Sequence, residues 1–465
     1  MSAARFEPAT ALRGSLTPPP DKSISHRAAI VAAMGEGETT VHGYLDAADT
    51  RSTLDAMRAL GAEVEVGEGC DEKRHGGWRN SAHPGGRRPA ARGRVDLRIH
   101  GVGLRGPRPA AVHVGNAGTL LRLLPGWLAG QPRGEWTLDG DDSIRRRPVD
   151  RIVEPLRAMG ANVRARNDRL PPLAVRGARL HGIEYRLPVA SAQVKSCLLL
   201  AALLAEGETT VVEARPTRDH TERMLRAAGA GVRSESAGTP VAIHGELPAG
   251  RVLVAPAAAL EPGEITVPGD FSSAAFALIA AALVRGSEVR LEGVGLNPGR
   301  IGLLGILTRM GAAIEVIETA AAGPEPVGTI VARSGPLEGT RVGAGEVPLA
   351  IDELPLLALA GCFGEGETVL TGAAELRHKE SDRIATVVAG LRALGAEIEA
   401  TEDGLVVRGG GGLRGGVLDA HGDHRLAMLG AIAGLASREG VEVRGFEAAG
   451  VSYPGFERDL RSLLD

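Results

Sequence analysis

Apolar and polar positions follow a pattern along this chain that recurs five times. Each copy has apolar residues at helical spacing, as in 149–159 and again in 384–394, followed by a Gly-Ala pair and a short strand-like alternation. The glycine stands where a helix C-terminus favours a left-handed residue, so each copy predicts a helix, a turn and a strand. The Gly-Ala pairs lie at 61–62, 160–161, 229–230, 311–312 and 395–396.

A second element precedes several of these copies. Segments of Gly and Glu followed by Thr and Val occupy 35–41, 206–212 and 364–370, and each predicts a turn that leads into a strand. Successive repeat glycines are 69 to 99 residues apart, too far for a solenoid, so the repeats predict small α/β subdomains. The tail 440–465 has the features of a degenerate sixth copy. Six copies pair as three plus three, which predicts two lobes with a cleft between them.

Composition excludes several classes of protein. The 465 residues are 43% apolar, enough for two or three domains with substantial cores. A net charge of −4 gives no general attraction to nucleic acid or to an anionic membrane, and the apolar runs fall short of the ~20 residues of a membrane span. Three scattered cysteines and an N-terminus without a signal-peptide pattern predict a cytoplasmic protein.

One segment departs from the repeat. Residues 70–94 are rich in Gly, Pro and Arg and contain seven Lys or Arg against two acids. They predict a loop or a disordered insertion. A charge run without interleaved aromatic residues is typical of a solvated segment, so a nucleic-acid partner is the minor alternative for it.

The candidate chemistry lies in polar segments at predicted helix starts and turns. Their Lys and Arg side chains, together with the free backbone N–H groups of the helix starts, favour bound anions. Asp352 and Glu353 lie in an otherwise apolar stretch and Glu380 lies in a charged one, which makes them candidate acids and bases. A small substrate with several negative charges is predicted. The segments are 18–27, 115–122, 145–150, 191–196, 350–355, 377–383 and 421–428.

A metal site is an alternative for the last of these segments. His421, Asp423 and His424 are all able to bind a metal ion. No HExxH pattern and no Cys/His spacing supports such a site, so no metal is predicted.

In this order, the segments resemble those of the enolpyruvyl transferases, and within that family the branch that acts on shikimate 3-phosphate. The resemblance implies two lobes, each made of three βαβαββ units in an inside-out α/β barrel, with the active site in the cleft. It places the first lobe at 21–266 and the second at 1–20 plus 267–465. The matching segments are 21–27, 115–119, 147–148, 191–193, 218–221, 269–274, 351–353, 379–383 and 423–425.

The resemblance also implies a reaction, which belongs to aromatic amino acid biosynthesis. The enolpyruvyl group of phosphoenolpyruvate moves to the 5-hydroxyl of shikimate 3-phosphate by addition and then elimination of phosphate. Asp352 would accept the hydroxyl proton, and Glu380 would protonate the methylene carbon and then take that proton back, with Lys22 or Lys379 assisting. No cofactor, nucleic acid or membrane is implied, and the protein is expected to be a monomer.

Carried over residue by residue, the family pattern implies two binding sets. Arginine suits both substrates because its guanidinium binds phosphate or carboxylate through two parallel hydrogen bonds. The set for shikimate 3-phosphate is Lys22, Ser23, Arg27, Ser191, Ala192, Gln193, Arg218, Asp352 and Lys379. The set for phosphoenolpyruvate is Lys22, Asn116, Gly118, Arg147, Gln193, Arg383 and Arg425.

Two positions depart from the family pattern, and two other functions are alternatives. Ala192 stands where some members have a second serine, and Val451 stands near a position where some have a lysine. The related UDP-N-acetylglucosamine enolpyruvyl transferases are the nearer alternative, but Asp142 occupies the position of their reactive cysteine. A non-catalytic α/β repeat protein that binds nucleic acid through 70–94 is the alternative from a different class.

Overall fold

A computed structural model describes residues 3–67, 93–236 and 249–464 and shows a mixed α/β protein. Of the predicted insertion, residues 70–92 lie outside the described part. Within the described ranges, none of the helices has the length and apolar character needed to cross a membrane.

The described chain alternates helices and short strands from end to end. The helices are α1 Lys22–Met34, α2 Ala48–Ala59, α3 Gly118–Ala129, α4 Asp150–Ala158, α5 Ala192–Ala202, α6 His220–Ala227, α7 Phe271–Leu283, α8 Gly302–Arg309, α9 Val347–Ala350, α10 Leu354–Phe363, α11 Arg383–Ala393, α12 His424–Ala436 and α13 Phe456–Arg461. Three 3₁₀ turns cover Ile144–Arg146, Ala374–His378 and Phe446–Val451.

The strands are three to ten residues long, apart from one of two residues. They are β1 Ala3–Phe6, β2 Arg13–Leu16, β3 Glu38–Leu45, β4 Glu63–Val66, β5 Arg94–His100, β6 Ala111–His113, β7 Glu135–Asp139, β8 Asn162–Arg166, β9 Leu170–Arg176, β10 Glu184–Arg186, β11 Thr209–Glu213, β12 Val232–Ser236, β13 Gly250–Val254, β14 Glu264–Thr266, β15 Glu288–Gly295, β16 Ala313–Ala322, β17 Glu325–Arg333, β18 Arg341–Val342, β19 Glu367–Leu370, β20 Glu397–Ala400, β21 Leu405–Arg408, β22 Gly416–Asp419 and β23 Val441–Arg444.

These strands form six small mixed sheets within the described residues. In each sheet the first two strands are parallel and the third is antiparallel to the second. In four of the sheets a helical crossover joins the two parallel strands, whereas β14 with β3 and β2 with β15 are pairs of strands that lie far apart in the sequence. The strand orders are β14-β3-β5-β4, β6-β7-β9-β8, β10-β11-β13-β12, β2-β15-β17-β16, β18-β19-β21-β20 and β22-β23-β1.

All five predicted helix–glycine–strand repeats are present. The helices α2, α4, α6, α8 and α11 each end two residues before a glycine, and a strand starts two or three residues after that glycine. The five glycines have φ between +86° and +104°, a left-handed conformation that residues with a Cβ adopt only with strain. The sequence prediction therefore identified both the elements and the residue that ends each helix.

The N-terminal strands lie far from their neighbours in sequence. Strand β2 pairs with β15, and β1 pairs with β23. Conversely, β14 from the middle of the chain pairs with β3. The tail 440–465, predicted as a sixth copy, contributes only β23 to a three-stranded sheet, and the other two strands are β1 and β22.

Two separate apolar clusters are buried in the described protein. One contains residues from Ile24 to Val267, and the other contains Phe6, Leu12 and residues from Phe271 to Leu463. Helices α1, α3 and α5 contact one another at the centre of the first cluster, and α7, α10 and α12 do so in the second. Nearly every residue of these helices is buried, so their only accessible polar groups lie at their ends.

We predict that Gly126 is required for the contact between α3 and α5. A Cβ at this position would overlap the backbone carbonyl oxygen of Cys197, which cannot rotate away. Gly126→Ala should lower the free energy of unfolding by about 1–3 kcal/mol, measured by urea denaturation. Gly450→Ala is the control, because a Cβ on Gly450 meets nothing within 4 Å. Equal stability of the two variants would contradict this view of the helix contact.

Candidate active site

One cavity of about 700 Å³ collects almost all the predicted site residues. It is lined by residues of both apolar clusters' central helices and by the turns that precede them. The predicted residues on its wall are Lys22, Ser23, Asn116, Gly118, Arg147, Ser191, Ala192, Gln193, Arg218, Asp352, Lys379, Glu380, Arg383 and Arg425. Arg27, of the two binding sets, is not on the wall, and neither is Glu353, the other candidate acid or base, which is fully buried.

The starts of the six central helices face this cavity. First-turn residues of α1, α3, α5, α7 and α12 line it, and Asp352 lies just before the start of α10. The free N–H groups and the helix dipole make each start a favourable position for negative charge. Side chains already accept hydrogen bonds from some of these N–H groups. Asp21 accepts from Ile24 N at 2.8 Å, and Ser191 accepts from Val194 N at 3.4 Å.

Lys22 lies at the start of α1, where its Nζ is 3.2 Å from Asp49 Oδ2. Burial is the largest influence on the pKa of Asp49 and raises it, but the charge and the hydrogen bond of Lys22, together with nearby groups, lower the pKa overall. Nearby, burial and the charge of Lys22 lower the pKa of His424 to about 3. His424 is therefore neutral near pH 7, and the positive charge in this corner belongs to Lys22.

Arg147 and Asn116 form a second corner of the cavity. Arg147 Nη2 donates to Asn116 Oδ1 at 2.9 Å, and Asn116 Nδ2 donates to Asp141 Oδ2 at 2.7 Å. Arg147 Nε is buried without a hydrogen-bond partner. Beside them, Gly118 at the start of α3 has no side chain, which leaves room for the guanidinium group.

Gln193 and Ser191 bring the start of α5 to the same wall. Gln193 Nε2 donates to Thr119 Oγ1 at 3.1 Å, and its Oε1 accepts from Arg122 Nη1 at 3.0 Å. These bonds fix the amide between α3 and α5. Ala192 contributes only a methyl group to the wall.

Arg27 lies behind the wall, nearly fully buried. Its guanidinium donates to Thr221 Oγ1 at 2.8 Å, to Ser196 Oγ at 3.0 Å and to the backbone oxygen of Ser23 at 2.9 Å. Burial, together with the charge of Arg218, lowers the pKa of Arg27 to about 10. It is thus a charged residue one layer below Ser23.

Asp352 is surrounded by cations. Its Oδ2 pairs with Arg218 and lies 3.0 Å from Arg300 Nη1 and 3.9 Å from Arg425 Nη2. Its Oδ1 lies 3.6 Å from Arg383 Nη1 and 4.0 Å from Lys379 Nζ. Burial raises the pKa of Asp352, but the charges of Arg425, Arg218, Lys379 and Arg300 hold it well below its ordinary value.

Glu380 has a similar environment at the start of α11. Its Oε2 accepts from Arg383 Nη2 at 2.6 Å, and its Oε1 lies 3.5 Å from Arg147 Nη1. Burial raises the pKa of Glu380, whereas Arg383 and Arg147 lower it well below its ordinary value. Arg383 is in turn held by Asp423, whose Oδ2 accepts from its Nε at 2.8 Å.

Lys379 lies among the arginines and has a lowered pKa. Burial is the largest influence and lowers its pKa, and the opposing charges of Asp352 and Glu375 do not restore it. A lysine with a lowered pKa exchanges a proton more readily near neutral pH than an ordinary lysine does.

The structure also brings in residues that the sequence did not indicate as part of the site. Arg300 is the main one, since it contacts Asp352 directly. It lies in the loop before α8 with no nearby charged motif, so nothing in the local pattern pointed to it. Asp270 and Asp423 were inside matched segments, and their helix-capping positions were the signal for a role.

The described residues support neither a metal site nor a cysteine nucleophile. None of the His, Cys, Asp and Glu side chains placed in the structure form a cluster of three or more that could hold a metal ion. Cys197 and Cys362 are buried, and burial raises the pKa of both, that of Cys362 to about 12. Neither thiol is suited to act as a nucleophile.

Comparison with known proteins identifies the family. The profile of EPSP synthase (3-phosphoshikimate 1-carboxyvinyltransferase) matches residues 6–84 and 93–460. A Synechococcus sp. (strain WH7803) protein named 3-phosphoshikimate 1-carboxyvinyltransferase is 46% identical over 97% of this chain and 96% of its own. A protein of the same name from Acidithiobacillus ferrooxidans (strain ATCC 53993 / BNL-5-31) is 46% identical over 97% of this chain and 95% of its own.

A solved structure agrees with these relatives. The EPSP synthase of Acinetobacter baumannii, 39% identical, superposes with a TM-score of 0.81 over 100% of this chain and 98% of its own. The predicted membership of the enolpyruvyl transferases, in the shikimate 3-phosphate branch and not the UDP-N-acetylglucosamine branch, is confirmed. This chain belongs to the EPSP synthase (3-phosphoshikimate 1-carboxyvinyltransferase) family.

Proposed function

We propose that this protein transfers the enolpyruvyl group of phosphoenolpyruvate to the 5-hydroxyl of shikimate 3-phosphate, with release of phosphate. Family membership supports the reaction, and the observation that carries it here is the composition of the cavity. Its wall presents a lysine- and arginine-rich surface together with two ionised carboxylates, Asp352 and Glu380. Two small polyanions and an acid–base reaction require these two kinds of group.

Shikimate 3-phosphate is proposed to bind between the starts of α1 and α5. Ser23, Ser191 and Gln193 supply hydroxyl and amide groups, and Lys22 and Arg218 supply charge. Arg27 would act from behind by holding the backbone oxygen of Ser23. Because Ala192 has no hydroxyl, Arg218 is the proposed compensating contact to the substrate phosphate.

Phosphoenolpyruvate is proposed to bind where Arg147, Arg383 and Arg425 meet, beside Asn116 and Gly118. Arg383 and Arg425 both lie within 4.0 Å of Asp352, and Arg147 lies 3.5 Å from Glu380. The phosphate and carboxylate of the substrate would compete with these two protein carboxylates for the guanidinium groups. Substrate binding therefore frees the groups that perform the chemistry.

The reaction balances with these two carboxylates and protons exchanged with solvent. Glu380 is ionised in the free protein and first takes up a proton from solvent as phosphoenolpyruvate binds. It gives this proton to C3 while the hydroxyl oxygen bonds to C2, and Asp352 accepts the hydroxyl proton, which it later returns to solvent. Glu380 then removes a proton from C3 as the bond between C2 and the phosphate oxygen breaks. The surrounding cations stabilise the negative charge of the adduct, so no cofactor is part of the proposal.

We propose that the reaction takes place between two lobes that close over the substrates. The two apolar clusters support lobes at 21–266 and at 1–20 plus 267–465, each an inside-out barrel of three units. Contacts between these ranges include Arg151 Nη1 with Glu375 Oε1 at 2.7 Å, and Arg218 with Asp352. The whole cavity comes from one chain, which supports a monomer as the active form.

The test of the proposed function is phosphate release by the pure protein. Phosphate should appear only when both substrates are present, and Asp352→Asn and Glu380→Gln should each slow turnover about 100-fold or more. Circular dichroism should show folded variants. Absence of phosphate release from the wild-type protein would refute the proposed function, and normal rates in both variants would refute the assigned roles.

We further predict that phosphoenolpyruvate raises the pKa of Glu380. In the free protein Arg383 and Arg147 keep this carboxyl ionised, and a bound anion would draw them away. Titration calorimetry in buffers of different ionisation enthalpy should show more proton uptake on binding to wild type than to Glu380→Gln. The difference should grow as pH falls from about 7 to 5.5, because more of the raised group is then protonated. Identical proton uptake by wild type and Glu380→Gln would contradict the proposed competition between phosphoenolpyruvate and Glu380 for the two arginines.

A third prediction concerns Gly118. A Cβ there would lie 2.9 Å from Arg147 Nη1 and would push the guanidinium away from Asn116. Gly118→Ala should raise the KM for phosphoenolpyruvate about tenfold, the loss expected for one charged hydrogen bond, with a smaller change in KM for shikimate 3-phosphate. Gly411→Ala, where a Cβ meets nothing within 4 Å, should leave both constants unchanged. An unchanged KM in Gly118→Ala would rule out this placement of the substrate.

A further inference from the structure

Arg300 is a buried arginine in contact with four carboxylates. Its side chain is 4% exposed. Its Nη1 lies 3.0 Å from Asp352 Oδ2 and 4.0 Å from Glu353 Oε1, and its Nη2 lies 3.2 Å from Asp270 Oδ1. Its Nε lies 4.0 Å from Asp21 Oδ2 and has no hydrogen-bond partner. Such a group holds its position, because moving it would leave several buried acids unpaired.

The four carboxylates mark the starts of three central helices. Asp21 caps α1 and Asp270 caps α7. Glu353, directly after Asp352, is the N-cap residue of α10. The chain segments that lead into α1 and α7 are also bonded to each other, through Asp21 N to Pro268 O at 2.8 Å and Asp270 N to Pro19 O at 2.7 Å. Arg300 thus connects Asp352 to the two bonded segments that precede α1 and α7, where the chain passes between the two proposed lobes.

The two oxygens of Asp352 have different surroundings. Oδ2 has the two close partners, Arg218 and Arg300, whereas every cation that contacts Oδ1 is at least 3.6 Å away. Arg218 is the proposed ligand of the substrate phosphate, so its bond to Asp352 would weaken when the substrate binds. Arg300 also lines the cavity, but its side chain is 4% exposed and is paired with three further acids, so its bond would remain.

We propose that Arg300 is a positioning residue that holds Asp352 by Oδ2 and leaves Oδ1 free to accept the proton of the substrate hydroxyl. The inference rests on the function proposed above. It assigns a role to a side chain that contacts no reacting atom and acts only through Asp352.

The charges around Asp352 define the expected pH effect. Burial is the largest influence on its pKa and raises it, and the cations lower it below its ordinary value. Loss of the Arg300 contact removes one of these cations from the carboxylate, so the pKa of Asp352 should rise. More of the base is then protonated at any given acidic pH, and the acid limb of the kcat profile moves to higher pH. The charged groups that face Asp352 are Arg218, Arg300, Lys379, Arg383 and Arg425, with Glu353 and Asp270 as neighbouring acids.

The test compares two variants with a matched control. Arg300→Lys keeps the charge but loses the fork that reaches Asp352 and Asp270 together. The pair Arg300→Gln with Asp270→Asn keeps the net charge of the cluster and a capping side chain on α7, in case the lysine variant does not fold. The control is Arg309→Lys at the end of α8, where Arg309 Nη1 pairs with Glu346 Oε1 at 2.7 Å on the surface.

Both variants should lose kcat about 10- to 100-fold, with the KM for phosphoenolpyruvate within about threefold of wild type. The acid limb should shift upward in Arg300→Gln with Asp270→Asn, which removes the cation, and should shift less in Arg300→Lys, which keeps the charge. The Arg309→Lys control should match wild type in kcat, in the KM for phosphoenolpyruvate and in the position of the acid limb. A lower melting temperature with unchanged kcat and an unchanged acid limb would show a purely structural role and overturn the inference. Because wild-type activity is measured in the same series, failure of the proposed function would be seen separately.

Discussion

The cavity brings many positive charges together in a nearly buried space, and carboxylates of the protein itself have to neutralise them. Asp352 lies within 4.0 Å of five cations, and Glu380 contacts two arginines. Buried charges without partners would cost several kcal/mol each, so these ion pairs are a condition for folding. The same carboxylates are the proposed acid and base. The ion pairs that stabilise the cavity wall are therefore the ones for which the proposed substrates would compete.

Much of the fold could be predicted from the sequence because its signals are local. A helix that ends before a glycine needs only the glycine's left-handed conformation and an apolar face, and all five such repeats were found on that basis. The strand exchange could not be predicted in this way. Nothing in the sequence near Arg13–Leu16 indicates that its partner is Glu288–Leu291, because that pairing depends on how the units are arranged in space.

The same contrast between local signals and distant contacts applies to the residues of the site. Residues within short motifs, such as Lys22 and Arg383, could be placed by resemblance and do lie on the cavity wall. Arg300 could not, since an isolated arginine in a loop gains its meaning only from acids that are distant in sequence. Arg27 shows the reverse case. Its motif was recognised, but only the packing of α1 against α6 shows that its guanidinium lies one layer behind the wall.

The pairing of the N-terminal strands has a consequence for synthesis of the protein on the ribosome. Residues 3–16 leave the ribosome long before their partners, Glu288–Leu291 and Val441–Arg444, are made. At the usual speed of translation, β2 waits about 15–55 s before β15 exists, and β1 waits longer. During that time the units from α1 to β13 can already form their own core. Strands β1 and β2 are thus made long before they can be paired, and they join the second apolar cluster only after Val441–Arg444 has been made.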